Sequence, residues 1–305
     1  MSELERLREL IDGGDVAVLS GAGISTESGI PDYRGPTGRL RSRLPMTLDE
    51  FTGSPAARRR YWARAHVGYR RMARAEPNAG HHAVATLQRR GVLAGIITQN
   101  VDGLHQAAGA RDVVELHGGL GRVVCLECGH LGARGELDDR LRAANPEFAA
   151  QVPRINPDGD AELALDRIEG FNLVGCDCCG SDLLKPDVVF FGETVPRPRV
   201  QRCYGLVASS ALLLVLGSSL AVMSGLRFVH RAVRDGIPVA IVNQGVTRGD
   251  EHALIKIDGP LGDTLSALVT DRVAAAARSA EQIRQPGSQV GDRRLEGGDA
   301  VAQLL

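Results

Sequence analysis

The stretch that most restricts what this chain can become is residues 21–35, GAGISTESGIPDYRG, together with the apolar run Val16-Ala17-Val18-Leu19 leading into it. The run follows the polar turn Asp12-Gly13-Gly14-Asp15, so it reads as a short buried strand that ends at a glycine turn. Gly21 and Gly23 let the backbone come close to a pyrophosphate. A helix opening after Ile24 would aim free N–H groups and its positive end at that charge. The turn is therefore a candidate phosphate cradle, with an ordinary glycine turn as the alternative. A dehydrogenase fingerprint, G-x-G-x-x-G, would need glycine where Thr26 stands, and no helix of normal length fits before Pro31. Pro31, Asp32, Tyr33 and Arg34 then place a rigid kink, a carboxylate, an aromatic ring and a guanidinium in one compact loop able to fold over a dinucleotide.

Leu4, Leu7, Leu10 and Ile11 recur at helical spacing and predict a helix packed on the sheet before the first strand. Residues 36–76 are arginine-rich, carry Phe51, Tyr61, Trp62 and Tyr69, and contain no strand-like run, so they read as a helical insertion. The basic residues from Arg58-Arg59-Arg60 to Arg74 are read as a solvated helix face in preference to a site for an acidic partner. A helix follows Pro77, and the strand Gly95-Ile96-Ile97-Thr98 delivers Gln99-Asn100-Val101-Asp102 to a sheet edge. A further strand, Val113-Val114-Glu115-Leu116, ends at His117. Later strands are expected at residues 188–191, 212–216 and 239–242, separated by helix-length segments. That alternation predicts an α/β fold with a doubly wound, parallel, Rossmann-like sheet. Polar residues just past the carboxyl ends of such strands lie where these sheets bind ligands. Beyond about Val273 an alanine-rich segment gives way to a polar tail that is expected to be disordered.

Cys125-x-x-Cys128 and Cys176-x-x-Cys179 each place two thiolates on a tight turn, and together they can close a tetrahedral zinc site. Four cysteines with no open position make such a site structural; a disulfide or unligated thiols are the alternatives. Cys178 is ambiguous because it too lies near Cys176, and Cys203, on a predicted helix, reads as a small buried hydrophobe. Tight cysteine pairs suit a reducing compartment. The N-terminal MSELERLREL has neither an apolar h-region nor a transit-peptide composition. The longest apolar stretch, residues 211–223, is broken by Gly217-Ser218-Ser219 and falls short of the ~20 residues of a membrane span. A cytoplasmic protein with no membrane partner is expected. A net charge of -1 argues against nucleic acid, although the basic residues are nearly all arginine, with Lys185 and Lys256 the only lysines.

Taken together, GAGIS with GIPDYR, TQNVDGLH, ELHG, the cysteine pairs, KPDVVFFGE, GSSL and IVNQG resemble the sirtuins, the NAD-dependent protein deacylases. The resemblance spans roughly residues 10–269. The long segment between the cysteine pairs, with NPDGDAEL, and KPDVVFFGE make it most similar to class II, the branch with a mitochondrial lipoamidase-type enzyme. The absence of a transit peptide makes it look like a bacterial member. The resemblance implies an NAD-binding Rossmann-like domain from residues 1–35, 77–118 and 183–272 and a helical insertion at 36–76. It also implies a zinc-binding module at 119–182 and a tail at 273–305.

Carried over residue by residue, the resemblance implies an NAD site of Gly21, Ala22, Gly23, Ile24 and Ser25, with Asp32, Tyr33 and Arg34 on a closing loop. Gln99, Asn100, Val101 and Asp102 would hold the nicotinamide end. Gly217, Ser218 and Ser219 would line the adenosine side, with Asn243, Gln244 and Gly245 at the adenine ribose and Leu261 beside the adenine. Val189, Phe190, Gly192 and Glu193 match a strand that pairs with an acyl-lysine substrate backbone. His117 would be the catalytic base, with Asn100 and Asp102 in the same machinery, and Cys125, Cys128, Cys176 and Cys179 would hold one structural zinc.

Read one at a time, Asp102 could cap the helix after it, Ser218 and Ser219 could be an N-cap, and His117 could be a core histidine. His81, His82 and His105 read as surface or packing residues. Three other functions compete with deacylation: mono-ADP-ribosyl transfer, a non-catalytic NAD-sensing or zinc docking module, and a dehydrogenase. A base and two polar partners count against the second, and the lack of an acidic residue suitably ending a second strand counts against the third. Succinyl-preferring relatives carry Y-x-x-R in the helical insertion. Here Arg70 is present but Val67 stands at the tyrosine position, so neutral acyl groups are expected, although Tyr61 and Arg64 repeat the spacing in another register.

Overall fold

The computed structural model describes residues 1–32, 45–148, 163 and 168–270. Tyr33, Arg34, the start of the helical insertion, the NPDGD turn and the expected disordered tail lie outside the described residues. Among the described residues nine strands form: β1 (Val16–Ser20), β2 (Leu93–Thr98), β3 (Val114–Glu115), β4 (Gly118–Cys125), β5 (Leu131–Ala133), β6 (Leu184–Val188), β7 (Leu212–Leu216), β8 (Val239–Val242) and β9 (Ile255–Ile257). The helices are α1 (Glu3–Asp12), α2 (Leu48–Gly53), α3 (Pro55–Met72), α4 (Ala79–Arg89), α5 (Leu104–Ala107), α6 (Arg134–Ala144), α7 (Arg197–Ala208), α8 (Met223–Arg234) and α9 (Leu261–Val269), with a 3-10 helix at Ala22–Ser28.

Six strands form a parallel sheet in the order β3-β2-β1-β7-β8-β9. β1 and β7 are buried along their whole length, because central parallel strands are covered on both faces and so read as continuous apolar runs. Their side chains alternate. Val16, Val18, Leu212 and Leu214 pack with Leu7 and Ile11 of α1, Val84 and Leu87 of α4 and Leu265 of α9. Ala17, Leu19, Leu213 and Val215 face the opposite way, onto Cys203 and Val207 of α7 and Phe228 and Val229 of α8. α1 opens on a capping box in which Ser2 and Glu5 satisfy each other's backbone N–H groups. The strand order reverses between β1 and β7, and this switch point opens a crevice at the strands' carboxyl ends.

The second sheet is antiparallel, β5-β4-β6, and two features of it were not expected. β4 was not read as a strand because three of its first four residues are glycine. The strand expected at 188–191 runs over Leu184–Val188 instead and pairs with β4, not with the parallel sheet. The cause is a buried lysine. Lys185 Nζ bonds the Val188 carbonyl and Glu193 Oε2 (2.9 Å) and lies 4.8 Å from the Phe190 ring centroid, folding residues 188–193 back on themselves. β9, three residues long at the sheet edge, was also missed.

The helical insertion forms, but its basic face is not wholly solvated. Arg58 is 5 % exposed; its Nη2 donates to Asp182 (2.9 Å) and its Nη1 to the Phe51 and Thr52 carbonyls. Trp62 donates to the Leu184 carbonyl (2.9 Å), and buried Arg134 of α6 stacks on the Trp62 and Tyr69 rings. The insertion is thereby fastened to the cysteine-bearing module through a shared core of Phe51, Tyr61, Trp62, Cys125, Cys176 and Phe190.

Candidate active site

Two glycine turns meet at the switch point. The Gly23 N–H donates to the Gly217 carbonyl (2.8 Å) and the Gly21 N–H to Leu216 O (2.9 Å). A Cβ on Gly23 would stand 2.8 Å from the Gly217 Cα, and one on Gly217, whose φ is +60°, would stand 2.4 Å from the Ile24 nitrogen. No larger residue fits either position. No helix of normal length forms between Gly21 and Pro31, as expected; a seven-residue 3-10 helix begins at Ala22 and is stopped by Gly29 in the left-handed region.

Ser25, on that helix, ties the turn to the segment after β2. Its hydroxyl donates to Asp102 Oδ2 (2.8 Å) and accepts from Asn100 Nδ2 (3.0 Å), which also donates to the Gly21 carbonyl (3.1 Å). Asp102 Oδ1 accepts from the Leu104 N–H (2.9 Å) at the start of α5, although the cap position itself is Gly103. Burial raises the Asp102 carboxyl above the usual range, against the lowering effect of its Leu104 and Ser25 bonds. Gln99 Nε2 donates to Ser218 Oγ (2.8 Å). The N-cap reading of Ser218 and Ser219 fails, because Val222 occupies the cap of α8. Behind this floor, His81 and His105 are fully buried packing residues, pushed down to about 3 and about 4 by desolvation first, and so neutral. His82 is exposed.

His117 stands where the chain leaves the parallel sheet for the small one. Leu116 N–H donates to the Thr98 carbonyl (2.8 Å) and Val189 N–H to the His117 carbonyl (2.8 Å), which pins the residue from both sides. The ring Nδ1 lies 2.9 Å from the Gln99 carbonyl, which can only accept, so Nδ1 carries the proton. Nε2 therefore presents its lone pair, 2.9 Å from Ser224 Oγ. Burial lowers the affinity of the ring for a proton below the ordinary histidine value; the Gln99 bond opposes this, and the positive Arg199 and Arg227 add to it. The neutral ring, with Nε2 unprotonated and bonded only to a hydroxyl that can turn aside, is what a general base near pH 7 requires. Ser224, in the first turn of α8, was missed in the sequence, where nothing in VMSGLRF separates it from an ordinary helix-start serine.

All these groups open onto one cavity of about 880 Å³. It is lined by Gly21, Ala22, Gly23, Ser25 and Asp32, by residues 99–102, by His117, by residues 217–219 and by residues 243–245. Val189, Phe190, Gly192 and Glu193 also line it, as do Ser224 and Asp258, which sequence reasoning did not single out. Asp258, just past β9, accepts from the Gly245 N–H (3.0 Å) and fixes that loop. Ile24 and Leu261 do not reach the cavity. Their apolar side chains are drawn into the core around Leu265, at 1 % and 4 % exposure, and the Ile24 N–H is taken by the Gly21 carbonyl (3.2 Å).

The four cysteines converge. Their Sγ atoms lie within 4.8 Å of one another, with Cys125 to Cys179 at 3.6 Å and Cys128 to Cys176 at 3.8 Å. A tetrahedron of thiolates ~2.3 Å from zinc has edges of about 3.8 Å, and the Cys125–Cys179 and Cys128–Cys176 separations match that size, so the four thiols can close on that ion. Each pair sits on a turn closed by a left-handed glycine, Gly129 and Gly180, whose N–H bonds the first cysteine's carbonyl. Cys178 is exposed and outside the cluster, and its N–H donates to Cys176 Sγ (3.4 Å). Cys203 is buried on α7, its thiol pushed up to about 12 by desolvation.

Residues 21–224 match the model of the Sir2 family. The chain is 57 % identical to NAD-dependent protein deacetylase 1 of Streptomyces coelicolor over 272 residues, covering 89 % of this chain and 90 % of that one. It is 47 % identical to the NAD-dependent protein deacylase Sirt4 of Drosophila melanogaster, over 87 % of this chain and 86 % of the relative. A Sir2 structure with a deacetylated p53 peptide and 3'-O-acetyl ADP-ribose superposes with a TM-score of 0.68 at 30 % identity, covering 87 % and 96 % of the two chains.

Proposed function

The chain belongs to the Sir2 family, the sirtuins, and on that premise we infer that it is an NAD-dependent protein lysine deacylase with His117 as its base. One observation carries the residue assignment: the His117 Nε2 lone pair and the paired glycine turns after β1 and β7 open onto the same cavity. NAD, when bound, supplies an ADP-ribosyl group that gives up nicotinamide and takes over the acyl chain. The glycine turns and residues 217–219 and 243–245 would hold its length, and Ser25, Asn100 and Asp102 would keep a dry, preorganised pocket at the nicotinamide end. His117 Nε2 would accept the proton of the hydroxyl that attacks the acyl carbon, while Nδ1 stays bonded to Gln99, and the lysine would leave as a free amine. Residues 189–193 would receive the substrate backbone as an added strand. The division of labour read from the sequence, an NAD-binding part and a zinc-binding module flanking the cleft, is part of this proposal. Among the described residues no helix is long and apolar enough to cross a membrane.

The acyl end of the cavity is walled by Ile30, Met46, Tyr61, Val188 and Phe190, and no arginine or lysine lines it among the described residues. Arg70 is turned elsewhere: its Nη2 meets His66 Nε2 (3.2 Å) and its Nε lies 3.9 Å from Asp138. Tyr61 lines the cavity, but Arg64 does not. A buried carboxylate without a cationic partner is costly, so succinyl-lysine should be slower than acetyl-lysine by on the order of 10²-fold in kcat/KM. A panel of acetyl, propionyl, longer neutral and succinyl peptides, followed by release of the unmodified peptide, checks this. A preference for succinyl-lysine would show that a cation does reach the acyl end.

A further inference from the structure

We propose that Ser224 is a positioning residue for deacylation: its hydroxyl holds the His117 ring through Nε2 in the resting state, yields the lone pair to the attacking hydroxyl, and accepts from Nε2–H once the proton has been taken up. The inference rests on His117 being the base. With Nδ1 committed to the Gln99 carbonyl (2.9 Å), the imidazole is anchored at one nitrogen only and would otherwise pivot about that bond. Ser224 Oγ, 2.9 Å from Nε2, supplies the second point. It comes from α8, whereas His117 lies just past β3, so the ring is held by two separate elements. Ser224 has no capping role that would explain it, since the cap of α8 is Val222 and makes no side-chain bond.

A hydroxyl is suited to this place because it is both donor and acceptor. While Nε2 is unprotonated, the Ser224 O–H donates to its lone pair; once Nε2 has taken a proton, the hydroxyl rotates and its oxygen accepts from Nε2–H. The second bond is charge-assisted and the stronger of the two. Ser224 thus favours the protonated ring over the neutral one and offsets part of what burial, Arg199 and Arg227 take away. His117 and Ser224 both line the cavity, so a hydroxyl arriving there takes the lone pair in place of the Ser224 O–H.

Ser224→Ala should slow deacylation by about 10- to 100-fold, the worth of one charge-assisted hydrogen bond. The acid limb of its kcat profile should move to lower pH by about one unit. Nicotinamide exchange, which precedes the need for the base, should stay within about twofold of wild type, and Ser224→Thr, which keeps the hydroxyl, should recover most of the rate. Deacylation and exchange are measured from pH 5 to 9 on both variants and the wild type, at matched melting temperature and zinc content. A wild-type rate in Ser224→Ala, an unmoved acid limb, equal loss of exchange and deacylation, or a threonine variant as slow as the alanine one each overturns the proposal. A wild-type protein that exchanges nicotinamide but releases no amine would instead remove the deacylase reading itself.

Discussion

His117→Ala should lose deacylation by ~10²–10⁴-fold, the usual worth of a general base, while keeping a substantial part of its acyl-peptide-dependent nicotinamide exchange. The split follows from where the ring sits. Its Nε2 is unprotonated and bonded to Ser224 at the cavity wall, and its Nδ1 is fixed by Gln99, so it is built to receive a proton, not to hold nicotinamide. The groups at the nicotinamide end are Asn100 and Asp102, locked through Ser25. Asn100→Ala and Asp102→Ala should therefore lower exchange and deacylation together. The three variants are compared by exchange of labelled nicotinamide and by peptide release. Wild-type deacylation in His117→Ala would reduce the residue to packing; loss of exchange in full proportion would move it to the first stage.

Cys176→Ser should release the metal and lower the melting temperature by on the order of 10 °C, because structural zinc contributes folding free energy directly. The cluster is not a detachable appendix. Cys125 is the last residue of β4, Cys176 is bonded through its N–H to the Ser181 carbonyl, and both cysteines are buried in the core that holds Phe51, Trp62 and Phe190. Loosening it would free the helical insertion and the Phe190 wall of the cavity, so activity should fall as a consequence of unfolding. Metal content by mass spectrometry and thermal melting are the readouts. Chelation that stops catalysis with an unchanged melting curve would make the zinc catalytic and overturn the assignment.

The parts of this molecule legible in its sequence are those where one residue type answers to one physical need. Gly23 and Gly217 are glycines because their backbones touch, and the cysteine pairs have the spacing of thiolates on a turn. The apolar runs of β1 and β7 announce strands covered on both faces. What was not legible depends on partners distant in the chain. Arg58 looks like any exposed helix arginine until Asp182 and two carbonyls are brought to it. The shift of β6 toward Leu184 depends on Lys185 finding Glu193, and the apolar letters VVFF pointed to the wrong register. The place of Leu261 in the core around Leu265 is likewise set by residues far along the chain. Ser224 gave no signal because its role exists only relative to a ring 107 positions away.

The most direct test is a product tally with the wild-type protein, NAD and an acetyl-lysine peptide, all species followed by mass. One nicotinamide, one unmodified peptide and one O-acetyl-ADP-ribose should appear for each NAD consumed. NAD consumption that leaves the acetyl group on the peptide, with ADP-ribose attached to protein or peptide instead, would contradict acyl transfer as the function of this site.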